Sequence, residues 1–247
     1  MCTRLICLLV VASTLLFMPA HLRGQAVVRD TSAVAATVGA VNKLYTESIG
    51  QSSHLFTGTE YLRRATRTNG NAYYLDQELQ PGTLWYMGAR YESIPMMLDI
   101  EKDELVIQDF RKSLLIALFA EEVDSFYLDQ HRFAFLPQWI SGLSSGYFEL
   151  PQTGALKLWV KRSKYFEQSA KADENALPGY RYESRYFIQS VNAFKEINTA
   201  DDLMAIVADR QEAVKEYLKQ NKLRFRRDKE AVLSAAVAFY NQIKAAL

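Results

Sequence analysis

Cysteine is nearly absent from this chain. Its two cysteines, Cys2 and Cys7, both lie within the first seven residues. Those residues open what reads as a secretory leader. Arg4 supplies a positive start, Leu5–Met18 is an uncharged run, and Gly24 and Ala26 put small residues at −3 and −1 of a cut after Ala26. The run suits a leader core and is short of the roughly 20 residues a spanning helix needs. Neither cysteine follows small residues at the end of the run, so a lipid anchor through cysteine is not expected. The expected product is one exported domain, residues 27–247, periplasmic or secreted. It would carry no thiol, which excludes disulfides, thiolate nucleophiles and cysteine-ligated zinc.

Other scarcities narrow the chemistry further. Of three histidines, only His54 and His131 lie beyond the leader, and neither has a partner at metal-ligand spacing. No metal or other cofactor is expected. Charge of one sign is also lacking. The formal charge is +1, and removal of Arg4 and Arg23 with the leader turns it slightly negative. That balance argues against nucleic acid or an anionic membrane as the main partner. No apolar run of about 18 residues follows the leader, so no transmembrane segment is expected after its removal.

What is abundant is aromatic. The chain has 14 Tyr, 13 Phe and three Trp. From His54 to Ile197 these mix with β-branched residues and turn residues, the vocabulary of strands. Asn69-Gly70 and Pro81-Gly82 mark turns. Tyr86–Ile100, a charged turn at Glu101–Glu104 and Leu105–Asp109 read as a hairpin. Tyr147–Leu150, a turn at Gln152–Gly154 and Ala155–Arg162 read as another. Ser169–Gly179 reads as a surface loop and Tyr180–Val191 as a further strand. Phe56-x-Gly58-x-x-Tyr61 recurs as Tyr86-x-Gly88-x-x-Tyr91, so a duplicated hairpin is open.

Helical periods flank this region. Val34, Val38, Val41, Tyr45 and Ile49 make one apolar stripe over 31–49. Thr199-x-x-Asp202 resembles a capping box opening a helical tail over 199–247, with helices expected near 203–207, 209–220 and 228–246. The fold class expected is therefore α+β: an antiparallel β-sheet or partial barrel with an N-terminal helix and a C-terminal pair or trio of helices.

The chain also resembles a family of uncharacterised exported proteins common in the Bacteroidetes. The residues that carry the likeness are Leu55–Tyr61, Gly82–Tyr91, Met97–Ile100, Gly146–Leu150 with Gly154, Asp201–Leu203 and Lys215–Phe225. Thr57 stands where the family pattern has Asn. The resemblance implies an exported, sheet-rich protein and transfers no catalytic residue.

Several candidate sites were weighed on chemistry. Gly142-Leu143-Ser144-Ser145-Gly146 matches the nucleophile-elbow pattern, but no histidine follows Ser144, and Tyr147–Leu150 reads as a strand rather than a helix. A flexible loop is the better reading, although His131 would serve Ser144 in another triad order. Asp99, Glu101 and Asp103 alternate like the start of a calcium loop, yet the sixth and twelfth positions hold Glu104 and Phe110. Glu149, Asp99, Asp129 and Glu60 are candidates for a paired-carboxylate site. Lys219–Lys229, basic around Phe225, reads as a solvated helix connection rather than a phosphate site. Tyr73, Tyr74, Trp85, Tyr86, Tyr91 and Trp139 would build core or line a groove. No residue is assigned a catalytic, cofactor or metal role. The expectation is a non-catalytic exported protein that binds an envelope protein, peptide or glycan. An envelope hydrolase using carboxylates or Ser144, or a small-ligand carrier with a β-barrel cavity, are the alternatives.

Overall fold

The computed structural model describes residues 54–168, 177–191 and 193–246. They form one antiparallel sheet of eleven strands: β1 Gly58–Glu60, β2 Gln80–Tyr86, β3 Ala89–Asp99, β4 Glu104–Gln108, β5 Leu115–Leu118, β6 Val123–Leu128, β7 His131–Leu136, β8 Gly146–Gln152, β9 Leu156–Glu167, β10 Gly179–Ser190 and β11 Ala193–Glu196. Their spatial order is β1-β5-β4-β3-β2-β6-β7-β8-β9-β10-β11. From β6 onward the chain is a meander, whereas β3, β4 and β5 lie on the other side of β2. Four helices accompany the sheet: α1 Gln138–Ser141, α2 Ala200–Ile206, α3 Gln211–Gln220 and α4 Lys229–Ala245.

The expected α+β class with a flanking N-terminal helix needs correction. One large sheet dominates, and none of the described helices precedes it. Only 7, 10 and 17 residues go into α2, α3 and α4, too few to make a layer equal to the sheet. The stripe over 31–49 and the leader lie outside the described residues, as do 169–176 of the expected loop.

Local chemistry explains the hairpins. In the β3–β4 turn, Asp99 Oδ1 accepts the amides of Glu101 and Lys102, both at 2.9 Å, and Asp103 takes a positive φ of 62°. An aspartate that bonds the backbone ahead of it, as Asp99 does, and one that tolerates the left-handed region, as Asp103 does, are both turn formers. Pro81-Gly82, expected as a turn, instead lies inside β2. Pro81 sits opposite Pro95 of β3, so two residues without an N–H face each other. Pro151 falls in the register shift between Glu149 and Gln152 of β8, where a missing donor costs least.

The aromatic-glycine echo is not a duplication. Phe56 ends a single 3-10 turn before β1, whereas Tyr86 ends β2 and Gly88 makes the β2–β3 turn with φ 74°. What links them is contact: the Tyr86 hydroxyl donates to the Thr57 carbonyl at 2.9 Å, and Phe56 and Tyr86 share the first core.

Two principal cores form. In the first, Leu84, Tyr86, Met96, Leu98, Leu105, Phe126, Phe133 and Tyr147 pack together from β2 through β8. In the second, Leu156, Leu158 and Val160 of β9 and Ile188 of β10 meet Leu203, Val214, Leu218, Leu233, Ala236 and Val237 of the helices. The β3–β4 turn reaches β9, where Lys164 N–H donates to the Ile100 carbonyl at 3.0 Å. Among the described residues no helix is long and apolar enough to cross a membrane.

Candidate functional site

Two polar sites stand out because they place charge inside or against these cores. The first lies between the cores. Along β9, Leu156, Leu158 and Val160 point at the helices, and Arg162 continues that row. Glu149 of β8 pairs with Val160 across the ladder. Both are buried, at 4% exposure for Glu149 and 6% for Arg162. A charge taken out of water must be paired and hydrogen-bonded. Arg162 Nε donates to Glu149 Oε2 at 2.7 Å. Its two terminal nitrogens donate to Glu230 of α4 at 2.7 and 2.6 Å, a bidentate fork, and Ser184 accepts a further bond at 3.0 Å.

His131 and Tyr74 close this network toward a cleft of about 680 Å³. His131 Nδ1 lies 2.6 Å from Glu149 Oε1, which assigns the ring proton to that nitrogen. Tyr74 rests edge-on against His131 and Phe133. Its hydroxyl is 3.0 Å from His131 Nδ1 and donates to Glu149 Oε2 at 3.4 Å. Burial opposes the charge on Arg162, but Glu230 and Glu149 outweigh it and hold the guanidinium charged. The Arg162 hydrogen bonds hold the Glu230 carboxyl below the ordinary carboxylate range. Burial, with Glu230, pushes the Tyr186 phenol up to about 12.

The second site is a cleft of about 500 Å³ between the segment after β1, the β3–β4 turn and the start of β10. Asp99, 1% exposed, lies at its floor. Asp99 Oδ2 accepts the Tyr61 hydroxyl at 2.6 Å, and that hydroxyl lies 3.3 Å from the Tyr73 hydroxyl. Burial, and then Asp99, keeps the Tyr61 phenol protonated far above its ordinary range. Four cations line the rim: Arg63, Arg64, Arg67 and Lys102. Only Arg64 is matched, by Glu101 at 2.5 Å. Arg63 lies over the Tyr73 ring and Lys102 over the Tyr61 ring, 5.7 and 4.4 Å from the centroids. Among the described residues Arg63, Arg67 and Lys102 make no ion pair, so the cleft keeps a positive balance. Thr66, Thr68, Asn71 and Gln77 add neutral hydrogen-bonding groups.

The sequence candidates distribute as follows. Ser144 is exposed in the loop before β8, near the Leu136 end of β7, because Leu136 pairs with Gly146. His131 begins β7, five residues away, which is roughly 16 Å along a strand. The two are therefore not brought together. Gly146 has a structural explanation. Its φ is 151°, and a Cβ there would run into the Asp103 carboxylate and the Lys161 ammonium. Those two groups pair at 2.6 Å, and the Tyr147 amide lies 3.3 Å from both Asp103 oxygens.

Asp99, Glu101 and Asp103 do not converge either. They serve Tyr61, Arg64 and Lys161 respectively. Glu149 and Asp129 line one cleft, while Asp99 lines the other and Glu60 is exposed at the end of β1. Among the aromatics, Tyr73 lines the arginine cleft and Tyr74 closes the Arg162 network. Tyr86 and Tyr91 belong to the first core, Trp85 packs on Tyr127, and Trp139 of α1 is exposed. His54 is exposed in the 3-10 turn before β1. Among the described residues no group of three His, Cys, Asp or Glu side chains is placed to hold a metal ion.

Sequence reasoning missed Arg162, Glu230 and the arginines at 63, 64 and 67. Arg162 had a signal: it occupies an inward position of an alternating strand, where an unpaired charge does not belong. Comparison of the chain with protein-family models, with curated proteins and with solved structures gives no match in any of the three.

Proposed function

We propose that this is an exported, non-catalytic binding protein whose ligand is an acidic glycan of the cell envelope, held in the arginine–tyrosine cleft. The observation that carries the reading is the charge balance there: Arg63, Arg67 and Lys102 line about 500 Å³ without a carboxylate partner. That volume suits a short oligosaccharide segment. The neutral lining of Thr66, Thr68, Asn71 and Gln77 fits hydroxyl groups better than it fits apolar peptide side chains. The leader and the resemblance to exported proteins support the address.

The carboxylates of both clefts support a non-catalytic role. Glu149 and Glu230 share one guanidinium, so the space that a glycosidic oxygen and water need is taken by Arg162. Both oxygens of Asp99 are engaged.

Titration calorimetry with an oligouronate and its uncharged hexose counterpart tests the reading. The oligouronate is expected to bind and the neutral sugar to bind weakly or not at all. R67A and R63A should each weaken the oligouronate about tenfold or more, the usual worth of a charge-assisted hydrogen bond. Equal binding of both sugars would end the acidic-ligand reading. Release of shorter products, lost in H131A, would replace binding with hydrolysis.

A further inference from the structure

The basic stretch singled out in the sequence is not absorbed by the cleft. It lies at the end of α3 and in the turn to α4, where Lys215, Lys219, Lys222, Arg224 and Arg227 line an open groove of about 610 Å³ floored by Leu218 and Leu223. Arg226 is exposed beside it. Lys215 pairs with Glu212. Among the described residues Lys219, Lys222, Arg224, Arg226 and Arg227 make no ion pair.

A helix C-terminus attracts cations, and this accounts for Lys219 and Lys222. It does not account for three arginines beyond the last turn, where the dipole has faded. A second, independent observation concerns Lys222. The Leu223 amide donates to the Leu218 carbonyl at 2.9 Å and the Lys222 amide to the Lys219 carbonyl at 3.0 Å. That is a Schellman cap with Lys222 at its left-handed position, φ 56°. Glycine is the ordinary residue there. The chain keeps a cation at a backbone position that penalises it.

We propose that this groove docks the protein on an anionic phospholipid surface through headgroup phosphates. The groove is shallow and its cations are exposed, so they face a surface rather than enclose a free phosphate, which would need buried donors. No aromatic ring is offered for base stacking: Phe225 packs against the second core, and Tyr217 stacks on Phe239 at 4.2 Å. The near-neutral charge of the whole chain speaks to long-range attraction, and the headgroup interaction needs only the local patch, because it acts within a Debye length.

Co-sedimentation of the leader-free protein with vesicles of mixed phosphatidylglycerol and phosphatidylcholine, at low and high salt, tests this. Binding is expected on the mixed vesicles, absent on pure phosphatidylcholine, and weakened by salt. Each basic residue near such a surface is worth about a fivefold change in affinity. The K219Q/R224Q/R227Q protein should therefore bind about a hundredfold more weakly. K222G should bind about fivefold more weakly while its thermal midpoint rises, and a purely structural lysine would not give that opposed pair. Equal binding to neutral vesicles, wild-type binding by either variant, or preference for a duplex oligonucleotide over the vesicles would overturn the proposal.

Discussion

A guanidinium stripped of water is tolerable only while its carboxylates stay with it, and the converse holds for the carboxylate it leaves behind. Glu149 is 4% exposed, and beside Arg162 its partners are the His131 ring and the Tyr74 hydroxyl. Arg162→Met is expected to lower the stability of the protein by about 3–5 kcal/mol, read as a fall in urea midpoint, because Glu149 stays buried without its guanidinium partner. Within this network Glu230 carries the pH dependence. Its carboxyl is held below the ordinary range by Arg162, so its contribution is present above about pH 4.3, the unfolded value, and is lost as pH falls through the lower folded value. Glu230→Gln should therefore lower the urea midpoint at neutral pH and flatten its decline below about pH 4 relative to wild type. Gly146→Ala tests the half-buried Asp103–Lys161 pair. A side chain at φ 151° is strained and displaces Asp103 from Lys161, so a loss of roughly 1–3 kcal/mol is expected in the same measurement. At this scale the sequence holds a signal that the reading left unused, where pattern and chemistry disagree. Arg162 at an inward strand position and Glu149 inside the run Gly146–Leu150 are both charges in apolar company. Their pairing was not readable, because a register shift offsets the β8–β9 ladder at Glu149 and α4 meets the hairpin only through the tertiary fold.

Elements hold to one another through a few polar clasps. Asn241 of α4 reaches the β8–β9 turn, where its Oδ1 accepts the Leu156 amide at 2.8 Å and its Nδ2 donates to the Leu156 and Thr153 carbonyls at 2.8 and 3.3 Å. Gly154, with φ 154°, leaves room for that side chain. Asn241→Leu should cost about 1–3 kcal/mol by leaving the Leu156 backbone groups unsatisfied, and exchange at the Leu156 amide should accelerate more than at the centre of β9. The hairpins β3–β4 and β8–β9 were readable because turn residues and alternation are local signals. So was the Thr199 capping box, in which Thr199 and Asp202 each bond the other's backbone. Pro81-Gly82 misled, since a proline pair across an antiparallel ladder looks like a turn until the partner strand is known. The strand order was also unreadable. That β6 returns to β2 rather than to β5 depends on non-local pairing that no window of sequence contains.

At the scale of the molecule, two apolar cores share one sheet, and the question is whether they unfold together. The first core spans β2 to β8 and the second joins β9 and β10 to the helices. Between them the β8–β9 ladder is interrupted by a register shift at Glu149–Gln152. The ties across that boundary include the chain Glu149–Arg162–Glu230, the Asp103–Lys161 pair, the bond from Lys164 N–H to the Ile100 carbonyl, and a smaller apolar cluster in which Phe148 and Leu150 of β8 meet Trp159 of β9 and Phe187 of β10. The polar ties depend on geometry that local opening destroys, whereas apolar burial survives small displacements. With the ties intact, the slowest-exchanging amides of α4 and of β3 should report the same opening free energy, that of global unfolding. Arg162→Met removes the charged tie that reaches α4. In that protein the α4 amides should exchange through an opening cheaper than the one that exposes β3, so the two sets separate by more than the overall loss of stability explains. Native-state hydrogen exchange at several low urea concentrations reads both values. If the two sets stay together in Arg162→Met, then the sheet alone transmits the cooperativity and the charged chain between the cores stabilises without coupling them.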